Sequence, residues 1–263
     1  MRTLPLHNLF RPKSILPGAV AGFLVIFSSC QRSEETQTVN HPAPEPDAFC
    51  GLPVPDFETA IRMIQERRDN FPKVGEPAIP FSLPSARSED TIALSDLHRE
   101  KPVVLIFGSG SCSVLGRSDS WIPAVYDRFN EQYAFALIYI REAHPTQGYR
   151  PAKYAREVRP VLDAESLENR RETAARYAEA KALPFPVLVD TMNDETARVY
   201  SAWPVRLFVV DTDGTVLYSG GQAPWFYHPF EVYQHQAPVA PELQDLPRSD
   251  RSLEQFLEFH SRQ

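Results

Sequence analysis

Cys112 is the residue of this 263-residue chain whose type and setting best suit it to chemistry. It lies in KPVVLIFGSGSCSVLGR, Lys101 to Arg117, where an apolar strand pattern runs through a Gly/Ser turn into a helix start. A helix N-terminus offers unpaired N–H groups and the positive end of a dipole, and both favour thiolate over thiol. The spacing therefore predicts a nucleophilic cysteine with a pKa below its ordinary value; the other reading is a small buried hydrophobe. Ser113, Val114 and Leu115 follow it, so there is no CxxC partner and any disulfide must reach elsewhere. Glu142 and His144, in IREAH, leave the end of a second apolar run. They are either acid–base helpers at the edge of a sheet or a surface carboxylate and a histidine satisfied by a backbone carbonyl.

The other two cysteines have different settings. Residues 1–30 carry Arg2, Arg11 and Lys13 but no acid, then an apolar stretch from Ala19 to Phe27, then Ser28 and Ser29 before Cys30. That is the layout of a signal peptide, and Phe27 Ser28 Ser29 Cys30 resembles a bacterial lipobox with Phe27 where Leu is usual. The expectation is an exported lipoprotein, lipidated at Cys30 and membrane-associated on the periplasmic or cell-surface side. Simple secretion and a short transmembrane anchor are the alternatives, the apolar core being well short of the roughly 20 residues that a span needs. Residues 31–49 are polar and proline-bearing and read as a flexible linker. Cys50 then remains as a resolving thiol for Cys112, or as a structural or intermolecular one.

Removing residues 1–30 takes three of the 27 basic residues and none of the 34 acidic ones, so the net charge falls from −7 to −10. Such a surface excludes nucleic acid as a partner on charge grounds. About 210 residues remain, enough for one domain with a full core.

Elements can be placed around Cys112. Asp56 to Asn70 has helical spacing, giving an N-terminal helical segment over residues 50–72 before the main domain, residues 73–263. Apolar runs at Val103 to Phe107, Phe135 to Ile140, Phe185 to Val189 and Leu207 to Val210 read as strands separated by charged helical stretches. Asp213 and Gly214 then predict a hairpin into Thr215 to Tyr218. The order implies an α/β protein, a central mixed sheet flanked by helices in the thioredoxin-like arrangement.

GSGSC at Gly108 to Cys112, IYIREAHPTQGY at Ile138 to Tyr149, LPFPVLVDTMND at Leu183 to Asp194 and GGQAPWFYHPFEV at Gly220 to Val232 together resemble the iodothyronine deiodinase family. The likeness runs from about Val74 to Val232. It implies a nucleophile at Cys112, where family members place selenocysteine, and proton delivery by Glu142 and His144. It also implies that Ser109 and Ser111 could hydrogen-bond the sulfur anion, although either could instead cap the next helix. In thioredoxin-like folds a cis-proline faces the active cysteine, so Pro204 is expected to be cis. Arg206 matches a family arginine and could hold an anionic substrate group or the thiolate, or be an ordinary exposed arginine. One departure concerns substrate: sixteen residues after His144, where hormone-binding members carry a second histidine, this chain has Pro160.

The resemblance implies a thiol oxidoreductase of deiodinase type acting on a small-molecule substrate, a halogenated aromatic being the expected class. It would bind no cofactor or metal and would draw electrons from an external thiol reductant or a thioredoxin-like donor. The alternatives are a peroxiredoxin-like or thioredoxin-like enzyme attacking peroxide or disulfide, and an anchored binding module without catalysis.

Overall fold

The structure is a computed structural model, described over residues 56–150, 160–233, 239 and 241–262. The signal-peptide and linker assignments, and with them Cys30 and Cys50, lie outside the described residues.

Asp56 starts the fold: its carboxylate accepts the Thr59 N–H at 2.7 Å and caps helix α1, Phe57–Arg67. Ala60, Met63 and Ile64 of α1 are buried in the main core, so this helix joins the domain and is not a separate body. Short strands β1, Ser82–Pro84, and β2, Thr91–Ala93, pair antiparallel and lead into helix α2, Leu94–Leu97. Then follow β3, Val103–Gly108; α3, Ser113–Gly116; α4, Trp121–Phe129; and β4, Ala134–Tyr139. The second half comprises α5, Leu167–Ala180; β5, Val187–Val189; α6, Glu195–Val199; β6, Arg206–Val210; β7, Val216–Ser219; and α7, Leu253–His260.

Five strands form one sheet in the order β5-β4-β3-β6-β7. β3, β4 and β5 run parallel, while β6 is antiparallel to β3 and β7 to β6. This is the thioredoxin-like α/β order expected from the alternation of strands and helices. The expected Asp-Gly reversal is present, with Gly214 at φ 87° and its N–H donating to the Asp211 carbonyl at 2.9 Å. β3 lies in the middle and all six of its residues are buried, which is why its sequence is a continuous apolar run instead of an alternating one. The register pairs Gly108 with Tyr139, so the chains leaving β3 and β4 emerge side by side at the carboxyl edge. Cys112 leaves on one, Glu142 and His144 on the other.

Candidate active site

The turn after β3 is packed tightly against its neighbours. A Cβ on Gly110 would stand 2.9 Å from the Tyr139 hydroxyl oxygen and 3.5 Å from the Tyr177 ring, so a glycine is needed for the close approach. The Gly110 N–H donates to that hydroxyl at 2.9 Å, and the Cys112 N–H donates to the Ser109 carbonyl at 3.2 Å. Cys112 thereby becomes the N-cap of α3, its Sγ accepting the Leu115 N–H at 3.5 Å. The placement at a helix start agrees with the sequence; the ionisation does not. The side chain is only 2% exposed, and burial pushes the thiol up to about 12 against the pull of the Leu115 and Val114 N–H groups. A four-residue helix has too short a dipole to offset that desolvation, and negative charge on Asp119 and Glu142 adds to it. At neutral pH the resting sulfur is a thiol.

Glu142 is buried and aims its carboxyl back at the cysteine turn. One oxygen accepts the Ser111 N–H at 2.8 Å and the Ser111 hydroxyl; the other accepts the Tyr139 hydroxyl. Burial pushes its pKa up against those donors, and the Asp163 charge adds to the rise. The Ser111 oxygen in turn accepts the His144 N–H at 3.0 Å, and the Ser109 hydroxyl oxygen accepts the Ala143 N–H at 3.2 Å. Neither expectation for the serines describes these contacts: they tie the β3 and β4 exits together, and the Ser111 proton is committed to Glu142.

His144 is half-buried on the same loop. Its Nδ1 lies 3.0 Å from the Tyr149 carbonyl, and the two rings meet edge to face at 5.8 Å. A carbonyl only accepts, so Nδ1 carries the hydrogen and Nε2 is the position that gains or loses a proton. Burial pulls the imidazole pKa down, partly offset by the Tyr149 carbonyl. The Trp203–Pro204 bond is cis, as expected, and leads directly into β6 beside β3. Pro160 is exposed.

Arg206 stands opposite Phe107 in the β3–β6 pairing, and Gln222 links it to the Trp203 carbonyl before Pro204. It is fully buried, its Nε donating to the Gly220 carbonyl at 2.8 Å and Nη1 to the Gln222 side-chain oxygen at 3.2 Å. The guanidinium stacks on Phe71 at 3.8 Å and faces Phe208 at 5.2 Å. It organises the β6–β7 core, and the hydrogen bonds it makes are to protein oxygens.

Three site residues were not visible in the sequence. Tyr139 closes an apolar strand and reads as core; Tyr177 lies in a charged helix; Asp119 is one acid among many. Their roles come from contacts between segments remote in sequence: Tyr139 on Gly110, and the Tyr177 hydroxyl donating to Asp119 at 2.8 Å. Among the described residues no group of three His, Cys, Asp or Glu could hold a metal, and no helix is long and apolar enough to cross a membrane.

Cys112 thus caps the helix after the central strand of a thioredoxin-like sheet, with a buried carboxyl arriving from the adjacent parallel strand. The profile of the iodothyronine deiodinase family matches residues 58–236, and the chain belongs to that family. Thyroxine 5-deiodinases of Bos taurus and Homo sapiens are each 31% identical over 134 residues, which is 50% of this chain and 42% of theirs. The chain thus spans less than half the length of these curated relatives. Among solved structures, an uncharacterized conserved protein from Geobacillus kaustophilus aligns with a TM-score of 0.44 at 19% identity, over 70% of this chain and 88% of that one. A putative thiol:disulfide interchange protein DsbE from Chlorobium tepidum aligns with a TM-score of 0.39 at 18% identity, over 56% and 84%.

Proposed function

We propose that this protein is a thiol-dependent reductive dehalogenase of small halogenated aromatic compounds, with Cys112 as nucleophile. The observation that carries this reading is the direct coupling of the cysteine turn to a buried acid: Ser111 and Gly110 are bound by Glu142 and Tyr139, in a chain of the deiodinase family. The Cys112 thiol first gives its proton to the buried Glu142 carboxylate, and the resulting thiolate attacks the halogen; a sulfur–halogen bond forms, the carbon–halogen bond breaks, and its electron pair stays on the aromatic carbon. His144, once it has taken up a proton at Nε2 to become the imidazolium, delivers that proton to the carbon, while the Tyr149 carbonyl fixes the ring through Nδ1–H. An external thiol then attacks Cys112, expelling halide and forming a mixed disulfide. A second thiol releases the cysteine as thiol and leaves as disulfide. Cys112 is the sole cysteine among the described residues, which fits reduction from outside the site. No cofactor is needed for this balance.

The test incubates the mature domain and a dithiol with iodothyronines, simpler iodophenols and hydrogen peroxide in parallel, reading iodide release and thiol consumption. Iodide release is expected from an iodinated aromatic. His144→Asn should lower it by roughly 10²- to 10⁴-fold, the usual worth of a positioned general acid. Thiol consumption with peroxide alone, and no iodide from any substrate, would replace this reading with peroxide reduction.

A further inference from the structure

Outside the proton-delivery residues, one cluster packs against the cysteine turn through Tyr177. Tyr177 and Lys181 stand four residues apart at the end of α5, the Lys181 N–H donating to the Tyr177 carbonyl at 3.0 Å, so both project from one helix face. They grip the two oxygens of a single carboxylate: the Tyr177 hydroxyl donates to one oxygen of Asp119 at 2.8 Å, and the Lys181 ammonium pairs with the other. Asp119 follows α3, the helix that Cys112 caps. The Tyr177 ring packs on Tyr139 at 5.8 Å and closes over Gly110, two residues before the sulfur. Asp119 is mostly buried, its side chain 11% exposed, whereas Lys181 at 38% meets solvent.

We infer that Asp119 and Lys181 form an electrostatic control on Cys112, in which the carboxylate holds the sulfur as thiol and the surface ammonium weakens that hold. Both are positioning residues. The physical basis is that a like charge near a buried thiol opposes thiolate, and a cation paired with that charge cancels part of its field. Other groups facing the sulfur are Glu142 after β4, whose charge acts in the same direction, and the phenols of Tyr177 and Tyr227. Among the four, Asp119 is the one that pairs with a cation at the surface. The sulfur's ionisation is thus coupled to an ion pair that salt or modification of Lys181 can reach.

The test follows the iodoacetamide alkylation of Cys112 against pH in the full chain, read on the Cys112 peptide by mass. Asp119→Asn should lower the apparent pKa by about one unit, hence raise the rate roughly tenfold at a fixed pH below it. Lys181→Gln should move it the other way by a smaller amount. The double variant should match Asp119→Asn alone, because the lysine acts only through the carboxylate. Shifts of the same sign in both single variants, or no shift in either, overturn the inference. If Asp119→Asn does not fold, Lys181→Gln decides by itself, and an unchanged or lowered pKa overturns it. The inference rests on Cys112 being the reactive group, but alkylation needs no turnover, so its failure leaves the dehalogenase reading standing.

Discussion

Arg141 and Glu142 are neighbours in sequence, both buried, and they serve opposite regions of the molecule. The Arg141 Nε pairs with Asp194 at 3.0 Å, with both side chains within 2% of full burial. Arg170 pairs with the other Asp194 oxygen at 3.0 Å, and Arg67 and Arg198 lie in the same field with Asp190. Every charge in that region has an opposite charge nearby. Glu142 turns the other way, to Ser111, Tyr139 and a buried thiol, and the groups bonded to it are neutral donors. The contrast separates scaffold from site. The guanidinium–carboxylate pairs lock α1, α5 and α6 to the strand ends, and even there burial lifts Asp190 to about 6; Glu142 and the Cys112 thiol have only neutral hydrogen-bond donors, and burial raises both.

The largest effect expected from breaking this contrast is on the site side. Cys112→Ser should abolish thiol-dependent turnover while leaving the melting temperature close to that of the parent, since the change is nearly isosteric and the N-cap role suits serine. Turnover retained by the variant, measured as halide release with dithiol, would remove Cys112 from the mechanism.

On the scaffold side, Asp194→Ala should act on stability first. It strips Arg141 and Arg170 of their shared carboxylate and leaves two buried guanidiniums facing each other, at a cost of about 3–5 kcal/mol. Denaturant unfolding would read this as a lowered midpoint. Asp194 also adopts φ 54°, so alanine meets backbone strain there as well. A variant with unchanged stability would mean that the ion pairs contribute no more than surface ones do.

The sequence made the scaffold's outline legible and most of its wiring illegible. β3 could be read because a strand buried on both faces must be continuously apolar, and the hairpin because Asp213-Gly214 encodes its own turn. Cys112 was legible as a helix cap for the same local reason. Its ionisation was not, because the turn's sequence specifies the helpful N–H groups but says nothing of the packing by Tyr139, Tyr177 and Tyr227 that excludes water. The contacts of Ser109 and Ser111 were hidden on similar grounds. Their partners are backbone and carboxyl groups more than thirty residues away, and only the Gly108–Tyr139 register brings them within reach. Arg206 matched a family position, but the pattern could not show that its side chain ends on the Gly220 carbonyl.

The smallest expected effect sharpens the comparison through pH. The folded thiol holds its proton up to about 12, while the unfolded one releases it near 9. Between those values the native state binds more protons than the unfolded state, so stability must fall as pH rises through the window. Below pH 9 both states are protonated and this contribution is fully present. The Cys112→Ser variant lacks the thiol and keeps every tyrosine and lysine that titrates in this window, so subtracting its unfolding free energy from the parent's, at each pH from 8 to 10.5, cancels the shared groups and isolates the thiol. The difference should be flat to about pH 9 and then move steadily against the parent. A curve that instead moves in the parent's favour over a lower window, pH 6 to 9, would mean that the native sulfur is already a thiolate. The helix N–H groups would then have won over burial, and the site would resemble the charged scaffold beside it.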